Sequence, residues 1–233
     1  MVTNKEKLIK QVQAEFKKQF KSEPKLFTLT PGRINIIGEH TDYNEGLAMP
    51  ATINRWICGA VCESPDKSFT IYSLNYNDKV ILPPQGAEKF REIWKQLAAA
   101  AVHVISARYN INTGASMVFG GNIPIGCGLS SSSALVISIA QSICHLFNIQ
   151  MEGLQLARLC QKIENKALGT AGGLLDQYGI ILSKKDQFMI IDFQDDSIEY
   201  IPAILNDCTW IVVNSQIPRE LSESAYLQRV KEC

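Results

Sequence analysis

The stretch Pro124-Ile125-Gly126-Cys127-Gly128-Leu129, followed by four serines from Ser130 to Ser133, limits what this chain can fold into more than any other. Two glycines one residue apart let the backbone close into a concave turn that a side chain would obstruct. Successive amide N–H groups in such a turn can converge on one anion. The serines lead into a run in which Leu135, Ile139, Ile143 and Leu146 fall near one helical face. Serine is a favoured N-cap, so the helix is expected to begin inside the serine run and to add its free N–H groups and positive dipole end to the turn. The combination predicts a phosphate site. No Gly-Lys-Ser/Thr follows the glycines, so this is not a Walker loop, and no third glycine completes a dinucleotide fingerprint. A flexible Gly/Ser loop before a helix is the competing reading of the stretch alone.

A second cluster, Gly38-Glu39-His40-Thr41-Asp42-Tyr43-Asn44-Glu45-Gly46, follows an apolar run around Ile34, Ile36 and Ile37. Carboxylates accept hydrogen bonds from hydroxyls, and histidine donates or accepts. A sugar ring, with hydroxyls pointing several ways, needs this mixture; a solvated polar turn is the bland alternative. A single histidine among acids lacks zinc spacing. In a third cluster, Gly169-Thr170-Ala171-Gly172-Gly173-Leu174-Leu175-Asp176-Gln177, glycines bring backbone close to a ligand and Asp176 opens an apolar helix. An acid at a helix start is commonly just a cap.

Around these clusters, residues 4–20 read as an amphipathic helix with Leu8, Val12, Phe16 and Phe20 four apart. Leu26 to Thr30 reads as a strand, Pro31-Gly32 as a turn, and Arg33 to Gly38 as a second strand. Leu47–Cys62, Phe69–Leu74, Ala115–Phe119, Phe188–Asp192 and Cys208–Asn214 read as strands. Ala87–Tyr109, Glu152–Leu168 and the chain from Ser222 read as helices. Lys+Arg and Asp+Glu number 23 each, which recommends neither nucleic acid nor an anionic membrane as partner. Seven cysteines without a Cys-x-x-Cys, and no apolar leader, point to a reduced, cytoplasmic protein. Cys58 and Cys62 share a strand face, where buried thiols are expected rather than metal ligands.

PGRINIIGEHTDYNEG closely resembles the galactokinase signature, and PIGCGLSSSSA resembles the phosphate motif of the GHMP small-molecule kinases, the family that includes galactokinases. The resemblance implies an α+β GHMP kinase fold with the family's C-terminal half missing. It divides residues 1–233 into a galactose-binding segment at 26–62, an ATP-phosphate loop at 121–135 and the start of the second half at about 205–233. The implied reaction is ATP-dependent phosphorylation of the anomeric hydroxyl of α-D-galactose. The implied roles are Asp176 as proton acceptor with Arg33 as its basic partner, and Glu39, His40, Thr41, Asp42, Gly173 and Tyr226 on the sugar. Gly126, Cys127, Gly128, Leu129, Ser130, Ser131 and Ser132 would hold the phosphates, and Ser132 and Glu164 the Mg²⁺. Arg219 matches a commonly basic position. Cys127 stands where the family usually has Ala or Gly; a thiol is also small, so the cradle is expected to survive. A kinase for N-acetylgalactosamine or arabinose, a non-catalytic galactose sensor and an inactive fragment are the alternatives. The full-length protein is expected to be a monomer, and this stretch alone a poor enzyme.

Overall fold

The computed structural model describes residues 3–86, 89–204, 208, 210–214 and 232. Helix α1 (Asn4–Phe20) forms where the four-residue apolar spacing predicts it, with Leu8, Val12 and Phe16 buried. A capping box starts it: Glu6 N–H donates to Thr3 Oγ1 at 3.2 Å, and Thr3 N–H donates to Glu6 Oε2 at 2.8 Å. It ends at Lys21, whose left-handed backbone returns an N–H to the Lys17 carbonyl.

The sheet is built from β1 (Leu26–Ile37), β2 (Leu47–Ser64), β3 (Phe69–Ser73), β4 (Asp78–Leu82), β5 (Gly114–Gly121), β6 (Gln187–Asp192) and β7 (Ser197–Pro202). The strand order is β4-β3-β5-β2-β6-β7, with β1 lying along β2. All pairings are antiparallel except β3 with β5. The long β2 is the axis of this arrangement. Its Ile57–Ser64 half pairs with β5, its first two residues pair with β6, and β1 runs beside most of it.

Period-two alternation gives the sheet two apolar faces. Ile57, Val61, Phe69, Ile71, Met117 and Phe119 pack against α2 (Ile93–Tyr109), α3 (Ser131–Leu146) and α4 (Gly153–Leu168). Cys58, Ala60, Tyr72 and Val118 pack against α1 on the other side, with Cys62 half-buried beside them. Burial pushes the Cys58 thiol up to about 12, as a structural thiol requires. The seven-residue α5 (Leu175–Ile181) sits at the end of the sheet, where its Tyr178 packs with Ala157, Met189 and Ile191. Polar contacts place α3 on β1: Thr28 Oγ1 lies 3.1 Å from Ser138 Oγ and 3.0 Å from Ser142 Oγ.

The α+β class is the observed one, but three local expectations need correction. Pro31-Gly32 is not a turn: β1 is continuous through it, with register shifts between Pro31 and Arg33 and between Asn35 and Ile37. Among the described residues β1 pairs only with β2, and an edge strand with a bulge accommodates proline's missing donor. The second long helix starts at Ile93 rather than at 87, with 89–92 outside it, because its buried face begins only at Trp94. β4 and β7 are strands not expected from the sequence, because charged and polar residues (Asp78 and Lys79, Ser197 and Glu199) break up their apolar runs. Cys208 and Trp210–Asn214 lie in no strand; Ile211 and Val213 are 79% and 81% exposed, with no neighbouring strand among the described residues to pair with them. Arg219, Tyr226 and all but Glu232 of the helix expected from Ser222 lie outside the described residues.

The α1 layer is held chiefly by apolar burial, so truncating its most buried ring has a defined cost. Phe16→Ala is expected to lower unfolding free energy by about 3–5 kcal/mol. The cap variant Thr3→Ala should cost about 1 kcal/mol. Urea unfolding followed by circular dichroism distinguishes the two.

Candidate active site

The phosphate-like loop joins β5 to α3. Gly126, Gly128 and Ser130 have φ of 74°, 70° and 57°, while Cys127 and Leu129 between them do not have positive φ. This alternation of hand turns successive N–H groups to one side and makes the anion-binding concavity. At Gly126 a Cβ would meet nothing within 4 Å, so glycine is needed there for its backbone angle and not for space. The loop is pinned from behind by β1. Arg33 N–H donates to the Leu129 carbonyl at 3.3 Å, and Arg33 Nη1 donates to the Gly128 carbonyl at 3.2 Å. In a planar trans peptide the N–H opposes the C=O. Holding these two carbonyls against β1 therefore aims the Leu129 and Ser130 N–H groups away from it, into the open.

Ser130 is the N-cap of α3, as the serine run predicts, but it does not cap with its side chain. Its left-handed backbone leaves the hydroxyl buried, and among the described residues it has no partner and the first-turn N–H groups receive no side-chain cap. Ala134 N–H takes the Ser130 carbonyl at 2.9 Å. The helix end thus keeps its donors available for an outside anion.

Arg33 reaches past the loop to α5. Its Nε donates to Asp176 Oδ1 at 2.8 Å, and Nη2 pairs with the same oxygen. The other oxygen, Asp176 Oδ2, lies 3.3 Å from Ser133 Oγ. Ser133 donates to Glu164 Oε2 at 2.7 Å, and Gln177 Nε2 donates to that same oxygen at 2.8 Å. Burial pushes the Glu164 carboxyl above its usual range and the Asp176 charge adds to this, while hydrogen bonds from Ser132, Ser133 and Gln177 oppose it. Ser132 and Glu164 thus present a hydroxyl and a carboxylate side by side, an oxygen donor pair suited to a hard cation that keeps waters and phosphate oxygens as its other ligands. No cluster of three His, Cys, Asp or Glu side chains that could hold a metal occurs among the described residues.

The second loop is folded by Thr41. Its hydroxyl lies 2.8 Å from the Gly38 carbonyl and 2.9 Å from that of Leu47, and its own carbonyl accepts from Asn44 and Gly46 N–H. Asp42 leaves this loop toward the third cluster, where its Oδ2 accepts from Leu175 N–H at 3.1 Å. A Cβ at residue 173 would overlap the Asp42 carboxylate, so only glycine allows this approach. Burial raises the Asp42 pKa and Asp176 contributes in the same direction, against the Leu175 N–H. Glu39 and His40 are exposed on the rim, with His40 Nδ1 bonded to the Tyr43 hydroxyl. The glycine turn takes its shape from α4. Asn165 Oδ1 accepts from Gly172 N–H at 2.9 Å, and Asn165 Nδ2 and Gln161 Nε2 donate to the Gly172 carbonyl at 3.1 and 2.9 Å.

The three sequence clusters therefore converge. Arg33, Asp42, Gly173, Asp176, Ser132 and Glu164 gather beside the loop of Gly126–Ser131, and Tyr226 lies outside the described residues. Ser133, Gln177, Asn165 and Gln161 were not singled out from the sequence. Neutral amides on helices carry no pattern that marks them, and Ser133 was one more serine in a run.

Comparison with known proteins finds similarity in both halves of this site. Residues 96–184 match the GHMP kinases N terminal domain, and residues 14–63 match the galactokinase galactose-binding signature. Galactokinase from Staphylococcus carnosus is 32% identical over 230 residues, covering 97% of this chain and 59% of its own length. Galactokinase from Exiguobacterium sibiricum is 34% identical over 226 residues, covering 94% and 57%. The crystal structure of Lactococcus lactis galactokinase complexed with galactose superposes with a TM-score of 0.88 at 31% identity, covering 96% of this chain and 59% of that one. The Methanococcus jannaschii mevalonate kinase shares the fold at 19% identity, a TM-score of 0.62 and coverage of 76% and 55%. The chain thus spans about 59% of the length of these galactokinases.

Two carboxylates held close together away from water make the site a local cost to stability. Glu164 titrates near 4.5 without the fold and higher within it. Between those two values the folded state holds the extra proton, so stability falls as pH rises through that window and stays lower above it. Glu164→Gln keeps the acceptor for Ser133 and Gln177 but removes the charge. It is expected to be more stable than the wild type at pH 7, with the difference vanishing below about pH 4, where the wild-type group is neutral in both states. Urea unfolding across pH measures this.

Proposed function

We propose that the chain is a GHMP kinase and carries the catalytic residues of an ATP-dependent galactokinase, which phosphorylates the anomeric hydroxyl of α-D-galactose; the family-model matches and the similarity to galactokinases along nearly its whole length support this. The observation that carries this reading is the position of the Arg33–Asp176 pair, between the phosphate-like loop and the Asp42 loop. A hydroxyl bound by the second loop and a phosphoryl group bound by the first would meet at that pair.

The sugar segment is 26–62 and the ATP-phosphate loop is 121–135. Asp42 and Gly173, with Glu39, His40 and Thr41 at the rim, hold the sugar. The backbone of Gly126–Ser132 and the start of α3 hold the phosphates of ATP. Asp176 accepts the proton of the anomeric hydroxyl as that oxygen bonds to the γ-phosphorus; the β,γ-bridging bond breaks, and ADP leaves with its electron pair. Arg33 orients the Asp176 carboxylate and places positive charge beside the transferring group. Ser132 and Glu164 would hold Mg²⁺, which supplies neutralisation of phosphate charge when bound. Little covalent chemistry falls to the protein in such a transfer, and positioning and electrostatics do most of it. The part-buried Asp42 carboxylate favours the sugar whose hydroxyls it can satisfy, since an unmatched hydroxyl leaves it unpaired.

The assignment of Asp176 is tested with galactose and ATP in a coupled assay, on an active chain extended through the family's second half. Asp176→Asn should lower kcat by about 10²-fold or more, while the nucleotide Kd changes little. Near-normal turnover in that variant would sink the assignment.

A further inference from the structure

Ser133 is 1% exposed and sits where α3, α4 and α5 meet. A hydroxyl has one proton, so it can donate to only one carboxylate at a time. At 2.7 Å from Glu164 Oε2 and 3.3 Å from Asp176 Oδ2, it donates to Glu164 and leaves Asp176 as the weaker contact. Gln177, itself buried, brings a second donor to the same Glu164 oxygen. Two donors on Oε2, from different helices, stop the carboxylate from rotating and hold Oε1 facing away from them. Ser132 also bonds to Glu164. A hydroxyl that turns to a cation gives up such a bond, whereas Ser133 and Gln177 can keep theirs.

From this geometry we infer that Ser133 is a positioning residue: its buried hydroxyl, with Gln177, locks the Glu164 carboxylate in the orientation that a divalent cation on the nucleotide requires. This role rests on the kinase reading and adds to it a residue assigned neither to the phosphates nor to the metal. Without the hydroxyl, Glu164 would keep its place on α4 but would have to be ordered anew each time a cation bound. Partners that orient a metal ligand in this way typically account for about 10–100-fold in metal affinity.

The test is ADP binding by calorimetry in the full chain, with Mg²⁺ and with EDTA. In the wild type, Mg²⁺ should tighten ADP binding. Ser133→Ala should weaken the Mg²⁺-dependent binding about tenfold and leave binding in EDTA unchanged. Gln177→Met, which removes the other donor on the same oxygen, should produce the same metal-selective loss. In a Glu164→Gln background, Ser133→Ala should add nothing, because the group it orients no longer carries the charge. Equal weakening with and without Mg²⁺ would make Ser133 a merely structural residue and overturn the inference, as would full additivity with Glu164→Gln. A wild-type chain that binds ADP no better with Mg²⁺ than with EDTA would remove the kinase reading, and the role of Ser133 with it.

Discussion

One ion pair ties the molecule's functional parts together. Arg33 and Asp176 lie 143 residues apart, on an edge strand and on a seven-residue helix. Both side chains are largely shielded, at 13% and 29% exposure. The same guanidinium holds the Gly128 carbonyl, so a single side chain sets the distance between the phosphate-like loop and the carboxylate. Its backbone N–H holds Leu129 as well. Moving β1 would therefore move the loop and Asp176 together, so the strand keeps the two in register. Effective positioning of this kind supplies a large part of the barrier reduction when a bimolecular step is made effectively unimolecular.

The rest of the architecture supports that strand. β2 reaches both the β5 side of the sheet and β6, and β1 is laid along it. The hydroxyl contacts of Thr28 seat α3 on β1 and so fix the helix start beside the loop. Against this rigid frame the site carries three carboxylates, Asp42, Glu164 and Asp176; Asp42 and Glu164 are each raised by burial first and by the Asp176 charge beside them. A chain selected for stability alone would not gather them. Their company makes sense if phosphate charge and a cation complete the site, because the local balance of charge is then set by the ligands as much as by the protein.

Much of this could be read from the sequence, for identifiable reasons. The tight loop before α3 is legible in the sequence because glycine spacing, a serine run and helical periodicity together mark a turn that ends at a helix start. Helix α1 is legible in the sequence because its apolar residues Leu8, Val12, Phe16 and Phe20 recur every four positions. Pro31-Gly32 reads as a turn in the sequence because proline and glycine punctuate turns and bulges alike, and only the pairing of β1 with β2 separates them. The Ser130 backbone angle was hidden for a different reason: serine usually caps with its hydroxyl, and here the demand of the loop for alternating hand overrides that habit. Asn165, Gln161 and Gln177 act through neutral amides whose roles depend on helices meeting in space, and no spacing in one chain encodes that meeting.

A crystal structure with α-D-galactose and Mg²⁺–ADP would test the central claim directly, that one ion pair sits between a sugar loop and a phosphate loop. The account predicts the anomeric hydroxyl about 2.6–3.2 Å from the Asp176 carboxylate, with the diphosphate on the backbone of Gly126–Ser132 and the Arg33–Asp176 pair intact. A sugar bound with another hydroxyl at Asp176, or a nucleotide seated away from that loop, would contradict it.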